Sequence, residues 1–362
     1  MSISNFEQME RVGEGAFSQV YKVRRRSDGE IYAMKKVKLL QLKEKERENA
    51  LNEVRILASI THPNVIAYKE AFIDPLSNSL CIIMDFADGG DLLSKINSHK
   101  KRGSVFPEGE IWTTFLQILK GLKALHEAKI LHRDLKGANV FLRRDGGIKI
   151  GDLNVAKVAK QGLVYTQTGT PYYASPEVWR DQPYDSRSDI WSLGCIIYEM
   201  AALSPPFKST DMQGLYRKVV RGLYPSIPAC YSSDLSSLVR AMLQVSPTSR
   251  PTSEKLLSMP LVTRHFTVEG EILAEPAIEL LDTIKVPRNL NRIGECLPKA
   301  NYSQRSRNQS AHQETGSRVE GARQRSLSRE NLPAGKKVTA RREEEGRSRR
   351  VALGPISQNR AY

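Results

Sequence analysis

His132-Arg133-Asp134-Leu135-Lys136-Gly137-Ala138-Asn139, followed a short strand later by Gly151-Asp152-Leu153-Asn154, concentrates the chemistry of this 362-residue chain. Asp134 can orient a hydroxyl nucleophile and accept its proton, and Lys136 can neutralise a phosphoryl group in transit. Asn139 and Asp152 offer the hard oxygen ligands that Mg2+ prefers. Phosphoryl transfer depends on alignment and charge neutralisation more than on covalent chemistry, so these residue types are sufficient in kind.

Toward the N-terminus, Gly13-Glu14-Gly15-Ala16-Phe17-Ser18-Gln19-Val20 lies between two predicted strands. Glycine there lets backbone N–H groups approach phosphate oxygens with no side chain in the way. Alone, two glycines in a hairpin turn read more simply as a turn. Their neighbours give them weight. Ala33-Met34-Lys35 on the next strand puts an ammonium within reach of the α- and β-phosphates, and Glu53 lies one helical turn before the core-facing Leu57. A Lys35–Glu53 ion pair would keep the amine charged and aimed.

The surrounding periodicities divide the chain in two. Phe6 to Val12, Gln19 to Val23 and Ile31 to Val37 read as strands, the last two joined through Ser27-Asp28-Gly29. Lys43 to Ala58 reads as a helix with Ala50, Val54 and Leu57 on one face. Val65 to Phe72 and Leu80 to Phe86 are again strand-like, and after Gly89-Gly90 the pattern turns helical, including Glu108 to His126 and Ser188 to Ala202. Strands first and helices later predict an α+β protein with a small β-rich lobe (6–84), a hinge (85–91) and a larger helical lobe (92–265). In the flanking segment 266–298, Leu273, Leu280, Leu281 and Ile284 could dock on this domain; 299–362 is too poor in large apolar residues to offset its ordering entropy and is expected to be disordered.

Over Phe6 to His265 the chain resembles a eukaryotic protein kinase. The glycine loop, Lys35, Glu53, His132 to Asn139, Asp152 and Ser175-Pro176-Glu177 stand in the family's order, followed by Asp189-Ile190-Trp191-Ser192-Leu193-Gly194 and Arg250. Gly169-Thr170-Pro171-Tyr172-Tyr173-Ala174-Ser175-Pro176-Glu177 and Asp88-Gly89-Gly90-Asp91-Leu92 are similar to segments of NIMA-related kinases; the Ste20-like group shares the Gly-Thr-Pro opening. The resemblance implies a two-lobed kinase fold and a serine/threonine protein kinase using ATP and Mg2+. Asp134, Lys136, Lys35 and Glu53 would be catalytic, and Asn139 and Asp152 metal ligands. Val12, Gly13, Gly15, Val20 and Ala33 would cover the nucleotide, with Met84, Asp85, Ala87 and Asp91 along the hinge and Phe141 beneath the adenine. Thr170 would mark serine/threonine specificity. Thr166, then Thr168, would be the activating phosphosite, read by Arg133. The competing class is a pseudokinase scaffold that binds nucleotide without efficient transfer.

Four positions depart from the family pattern: Ser18 replaces the third glycine, Gly137 a proline, Leu153 a phenylalanine and Asn154 a glycine. Leucine keeps an apolar plug. Asparagine is the non-glycine residue best suited to left-handed backbone, so an active enzyme with a shifted activation-segment balance is expected.

Composition sets outer bounds. Residues 299–362 hold fifteen Lys or Arg against six Asp or Glu, which is nine of the fifteen net positive charges. Arg323-Gln324-Arg325-Ser326-Leu327-Ser328-Arg329 and Arg341-Arg342 suit an acidic surface such as microtubules, and without interleaved aromatics nucleic acid is not an expected partner. The family association adds cell-cycle or ciliary control. Cys81, Cys195, Cys230 and Cys296 fit no metal or paired-thiol spacing and read as reduced thiols. The N-terminus lacks a signal-like segment, and Ile190 to Leu203, broken by Glu199, is too short to span a bilayer. A cytoplasmic protein is expected, with cytoskeleton, cilium or nucleus as its places of work.

Overall fold

The computed structural model describes residues 2–15, 17–152, 171–266, 277–278, 281–284 and 290–302. Leu153, Asn154, Thr166, Thr168, Thr170 and the basic tail from 303 onward lie outside the described residues, as do Leu273 and Leu280.

The small lobe is an antiparallel sheet built from β1 (Phe6–Glu14), β2 (Ser18–Arg25), β3 (Ile31–Lys38), β5 (Tyr68–Asp74) and β6 (Ser79–Asp85), in the order β1-β2-β3-β6-β5. Between β3 and β5 the chain makes helix α1 (Glu44–Ala58) and the two-residue β4 (Ile60–Thr61). Strand alternation assigns the faces. Val23, Met34, Phe72, Cys81 and Ile83 form a small outer cluster with Phe6. Val37, Leu80 and Ile82 join the main core with Leu51, Val54 and Leu57 of α1.

The strand expected at Val65 to Phe72 begins instead at Tyr68. Val65 and Ile66 are buried, but their backbone is committed elsewhere: Ile66 N–H donates to Ile150 O at 2.9 Å, and Ile150 N–H to Asn64 O at 2.9 Å. Apolar side chains alone could not distinguish this lobe-to-lobe bridge from a longer strand.

The larger lobe carries α2 (Leu92–Arg102), α3 (Glu108–Glu127), the hairpin β7 (Val140–Leu142) and β8 (Ile148–Ile150), α4 (Pro176–Trp179), α5 (Ser186–Ala202), α6 (Met212–Arg221), α7 (Ser233–Met242), α8 (Ser253–Leu257) and α9 (Pro260–Thr263). Asp91, Asp185, Asp211, Ser232 and Thr252 each cap a helix by accepting a backbone N–H two or three residues on. Helix α5 is buried almost all round, including Ile190, Trp191, Ile196 and Ile197, and forms the axis of the lobe. A last short strand, β9 (Ala277–Ile278), pairs with β4. Among the described residues no helix is long and apolar enough to cross a membrane.

Candidate active site

Lys35 leaves the inner face of β3 and meets Glu53 of α1, with Nζ 2.7 Å from Oε1. Asp152, just beyond β8, lies 3.6 Å from the same ammonium. Burial disfavours the charge on Lys35, but the two carboxylates more than offset it and hold its pKa above the ordinary lysine value. The amine therefore stays cationic. Burial pushes Glu53 upward while Lys35 pulls it back.

The loop carrying Asp134 is built on a buried anion. Asp189, at the start of α5, accepts the backbone N–H groups of His132 and Arg133, both at 3.0 Å, the Tyr184 hydroxyl at 2.6 Å and a bond with His126 Nε2 at 2.9 Å. Burial opposes its charge, yet these partners hold its pKa below the ordinary aspartate value. The clamp keeps Arg133 in left-handed backbone at φ 66°. Beside it, burial lowers the His132 pKa, so that ring is a neutral packing element. Downstream, Lys136 Nζ lies 2.9 Å from Asp134 Oδ2. Asn139 Nδ2 donates to Asp134 O at 2.7 Å and to Oδ2 at 3.3 Å, which orients the amide so that Oδ1 is the atom able to ligate a cation.

Gly151 fixes the approach to Asp152. A Cβ there would stand 2.7 Å from Ile66 Cγ1 and 3.0 Å from Phe141 Cε2, closer than packing allows. The chain then enters Asp152 with φ 56°. Left-handed backbone is argued from the sequence at Asn154; Asp152, a residue type that tolerates it, and Arg133, one that does not favour it, both adopt it.

Apart from Gly15, the positions expected to cover a nucleotide lie on paired strands of the small lobe. Gly13 pairs with Val20 across β1 and β2, Val20 with Lys35, and Ala33 with Met84. Gly15 N–H donates to Ser18 O at 2.7 Å, closing the glycine turn with serine in the third position. Val12 is exposed and Ala33 buried. Phe141 lies on β7, bridged to Asp91. At the hinge, Asp85 N–H donates to Ala67 O at 3.0 Å, which ties the end of β6 to the residue before β5. The Asp91 carboxylate caps α2, accepting the Ser94 N–H on Oδ1 and the Ser94 hydroxyl on Oδ2.

Lys69 and Lys149, unremarked in the sequence, grip the Asp85 carboxylate at 3.1 and 3.0 Å. They outweigh its burial and depress its pKa, fixing the first hinge residue. Their only sequence signal is alternation on two short strands. Farther out, Glu177 and Arg250 form a buried bidentate pair at 2.8 and 2.6 Å, with Ser188 Oγ donating to Glu177 at 2.6 Å.

The arrangement can clamp polyphosphate through Lys35 and present one carboxylate and one amide oxygen to a divalent ion. Among the described residues no cluster of three or more acidic, His or Cys ligands forms a cage. A donor set of Asp152 and Asn139 suits an ion that keeps phosphate and water ligands, as Mg2+ does.

The sequence profile of the protein kinase domain matches residues 6–262. The chain is 36% identical to mouse serine/threonine-protein kinase Nek3 over 312 residues, covering 83% of this chain and 59% of that protein. It is 37% identical to mouse Nek1 over 277 residues, 75% of this chain and 23% of the relative. A probable serine/threonine-protein kinase, nek2 of Dictyostelium discoideum, is 40% identical over 265 residues, 72% of this chain and 63% of its own length. The chain thus spans about a quarter to three fifths of the length of these curated relatives.

Proposed function

The chain belongs to the protein kinase family, with NIMA-related (Nek) kinases as relatives, and from that premise we propose that it transfers the γ-phosphoryl group of Mg-ATP to serine or threonine hydroxyls of proteins. The observation that carries this is the closed Lys35–Glu53 pair at 2.7 Å, with Asp152 on the same ammonium and Asp134, Lys136 and Asn139 bonded together in one loop. When bound, Mg-ATP supplies the phosphoryl group and cationic charge on its oxygens. Lys35 holds the nucleotide phosphates, Asp134 orients the acceptor hydroxyl and accepts its proton, and Lys136 stabilises charge on the transferring group. Asn139 Oδ1 and the Asp152 carboxylate would hold the metal. Adenine would meet the Asp85 carbonyl and the Ala87 backbone between Ala33 and Phe141.

Thr166 and Thr168 as phosphosites, Thr170 as specificity marker, and the tail as an address on microtubules or another acidic surface extend this proposal. So do cytoplasmic, cytoskeletal or ciliary placement and a part in cell-cycle control. No observation among the described residues favours a non-transferring scaffold or the Ste20-like group. Phosphoamino-acid analysis of a generic protein substrate tests the reaction class: phosphoserine and phosphothreonine are expected, absent with Lys35→Met, and phosphotyrosine alone would overturn it.

A further inference from the structure

The described C-terminal pieces lie along the small lobe and grip it on both faces. At the end of α1, Arg55 Nη1 donates to Leu281 O at 3.2 Å and to Thr283 Oγ1 at 3.4 Å. Leu281 N–H donates to Ser59 Oγ at 3.0 Å, and Ser59 Oγ donates to Arg55 O at 2.7 Å. β9 pairs with β4 directly after α1, Ile60 opposite Ile278 and Thr61 opposite Ala277. Ile293 is fully buried in the main core.

The chain then crosses edge strand β5. Tyr68 donates its hydroxyl to Pro298 O at 2.9 Å, and Asn301 N–H donates to Lys69 O at 2.6 Å. On the outer face Tyr302 donates its hydroxyl to Glu70 Oε1 at 2.7 Å. Its ring lies 3.4 Å from the Arg25 guanidinium and meets Tyr32 edge-on at 5.5 Å. Burial, with Glu70 adding to it, raises the Tyr302 pKa and keeps the phenol a donor. Glu70 is 2% exposed, and its other oxygen has no hydrogen-bond partner among the described residues.

Glu70 shares the outer face of the sheet with Phe72 and Met34, whereas Lys35 faces α1. A segment bonded to α1 on one side and to Glu70 and Arg25 on the other ties the helix to the sheet. We infer that the described pieces 277–278, 281–284 and 290–302 act as a strap whose end contacts, Arg55 at α1 and Tyr302 on the outer sheet face, are positioning residues that hold Glu53 against Lys35. The inference rests on the kinase reading of that pair. Moving α1 outward on its own would break both Arg55 bonds and the Ser59–Leu281 bond, so these contacts oppose that motion.

Arg55→Ala and Tyr302→Phe, made in the full chain, remove the two ends independently. For both, KM for ATP should rise about tenfold, the weight of one or two hydrogen bonds. KM for a peptide should stay constant, and amide exchange should accelerate in residues 44–58 but not in α5. Loss of folded protein lowers kcat and moves neither KM. If Tyr302→Phe also opens α5, Ser59→Ala, which loses the Leu281 bond, is read by the same criterion. Active wild type with unchanged KM for ATP and unchanged α1 exchange in these variants overturns the strap's role. A wild type without phosphotransfer overturns the proposed function instead, and the exchange signature still reports on the strap.

Discussion

At the scale of the residue, Gly151 shows how a position without chemistry controls one that has it. Any Cβ there collides with Ile66 and Phe141, so Gly151→Ala must displace Phe141 or the strand end that aims Asp152. Overpacking of this kind costs about 1–3 kcal/mol. We expect a comparable loss in thermal stability, with KM for ATP raised because Asp152 and Phe141 are the proposed metal and adenine contacts. A calorimetric scan and ATP titration check it; an unchanged melting temperature and KM would show the contact to be soft. Asn154 carries a smaller expectation. Since asparagine tolerates left-handed backbone, Asn154→Gly should change specific activity only modestly, and an inactive natural chain revived by glycine would contradict this.

At the scale of the element, burial and pairing combine most strongly at Glu177 and Arg250, which join α4 to the turn before α8. Breaking a buried pair by removing one partner costs about 3–5 kcal/mol, because the remaining charge is left uncompensated. Arg250→Met should destabilise the chain by that amount in denaturant unfolding, whereas a loss under about 1 kcal/mol would mean water reaches the pair. Despite burial, Arg250 and Ser188 depress the Glu177 pKa below the ordinary 4.5. A carboxylate depressed in the folded state contributes stability above 4.5, lost as pH falls through the folded value. Stability should therefore decline with acidification below about pH 4.5, less steeply in Glu177→Gln. Equal slopes would assign the acid sensitivity to other groups.

Elements also explain what the sequence could and could not reveal. The loop from His132 to Asn139 is legible because its chemistry is local: one short run of residues fixes the base, the lysine and a metal ligand. Lys35 and Glu53 are legible because strand and helix periods turn them toward the same core. The two lysines on Asp85 are not, since Lys69 and Lys149 meet it only once β5 and β8 are placed. The strand start expected at Val65 fails because an apolar run does not say where its backbone bonds go. Asp189 could be recognised in its motif, but not as the anion that two loop N–H groups, His126 and Tyr184 share.

At the scale of the whole molecule, the flank and the tail separate. Leu281 and Ile284 lie in the region whose docking the apolar pattern anticipates, and Ile284 packs on the main core. The contacts continue to Tyr302, four residues beyond the boundary expected from composition. That changes where a tail deletion should be made. A chain ending at 302 should keep peptide phosphorylation within about twofold, the scatter of surface changes, while its cellular distribution shifts if the tail is an address. A chain ending at 289 loses Ile293 and Tyr302 and should lose most activity. Equal activity of the two would remove the strap from the enzyme.

The central claim is that Asp134 works with Lys35, Lys136, Asn139 and Asp152 in one phosphotransfer site. It is tested most directly by comparing ATP-dependent phosphorylation by the full chain and by Asp134→Asn, purified identically. A positioned general base contributes about 10²–10⁴-fold, so kcat should fall by that factor with KM for ATP nearly unchanged. Equal turnover by the two proteins would contradict the assignment of this site.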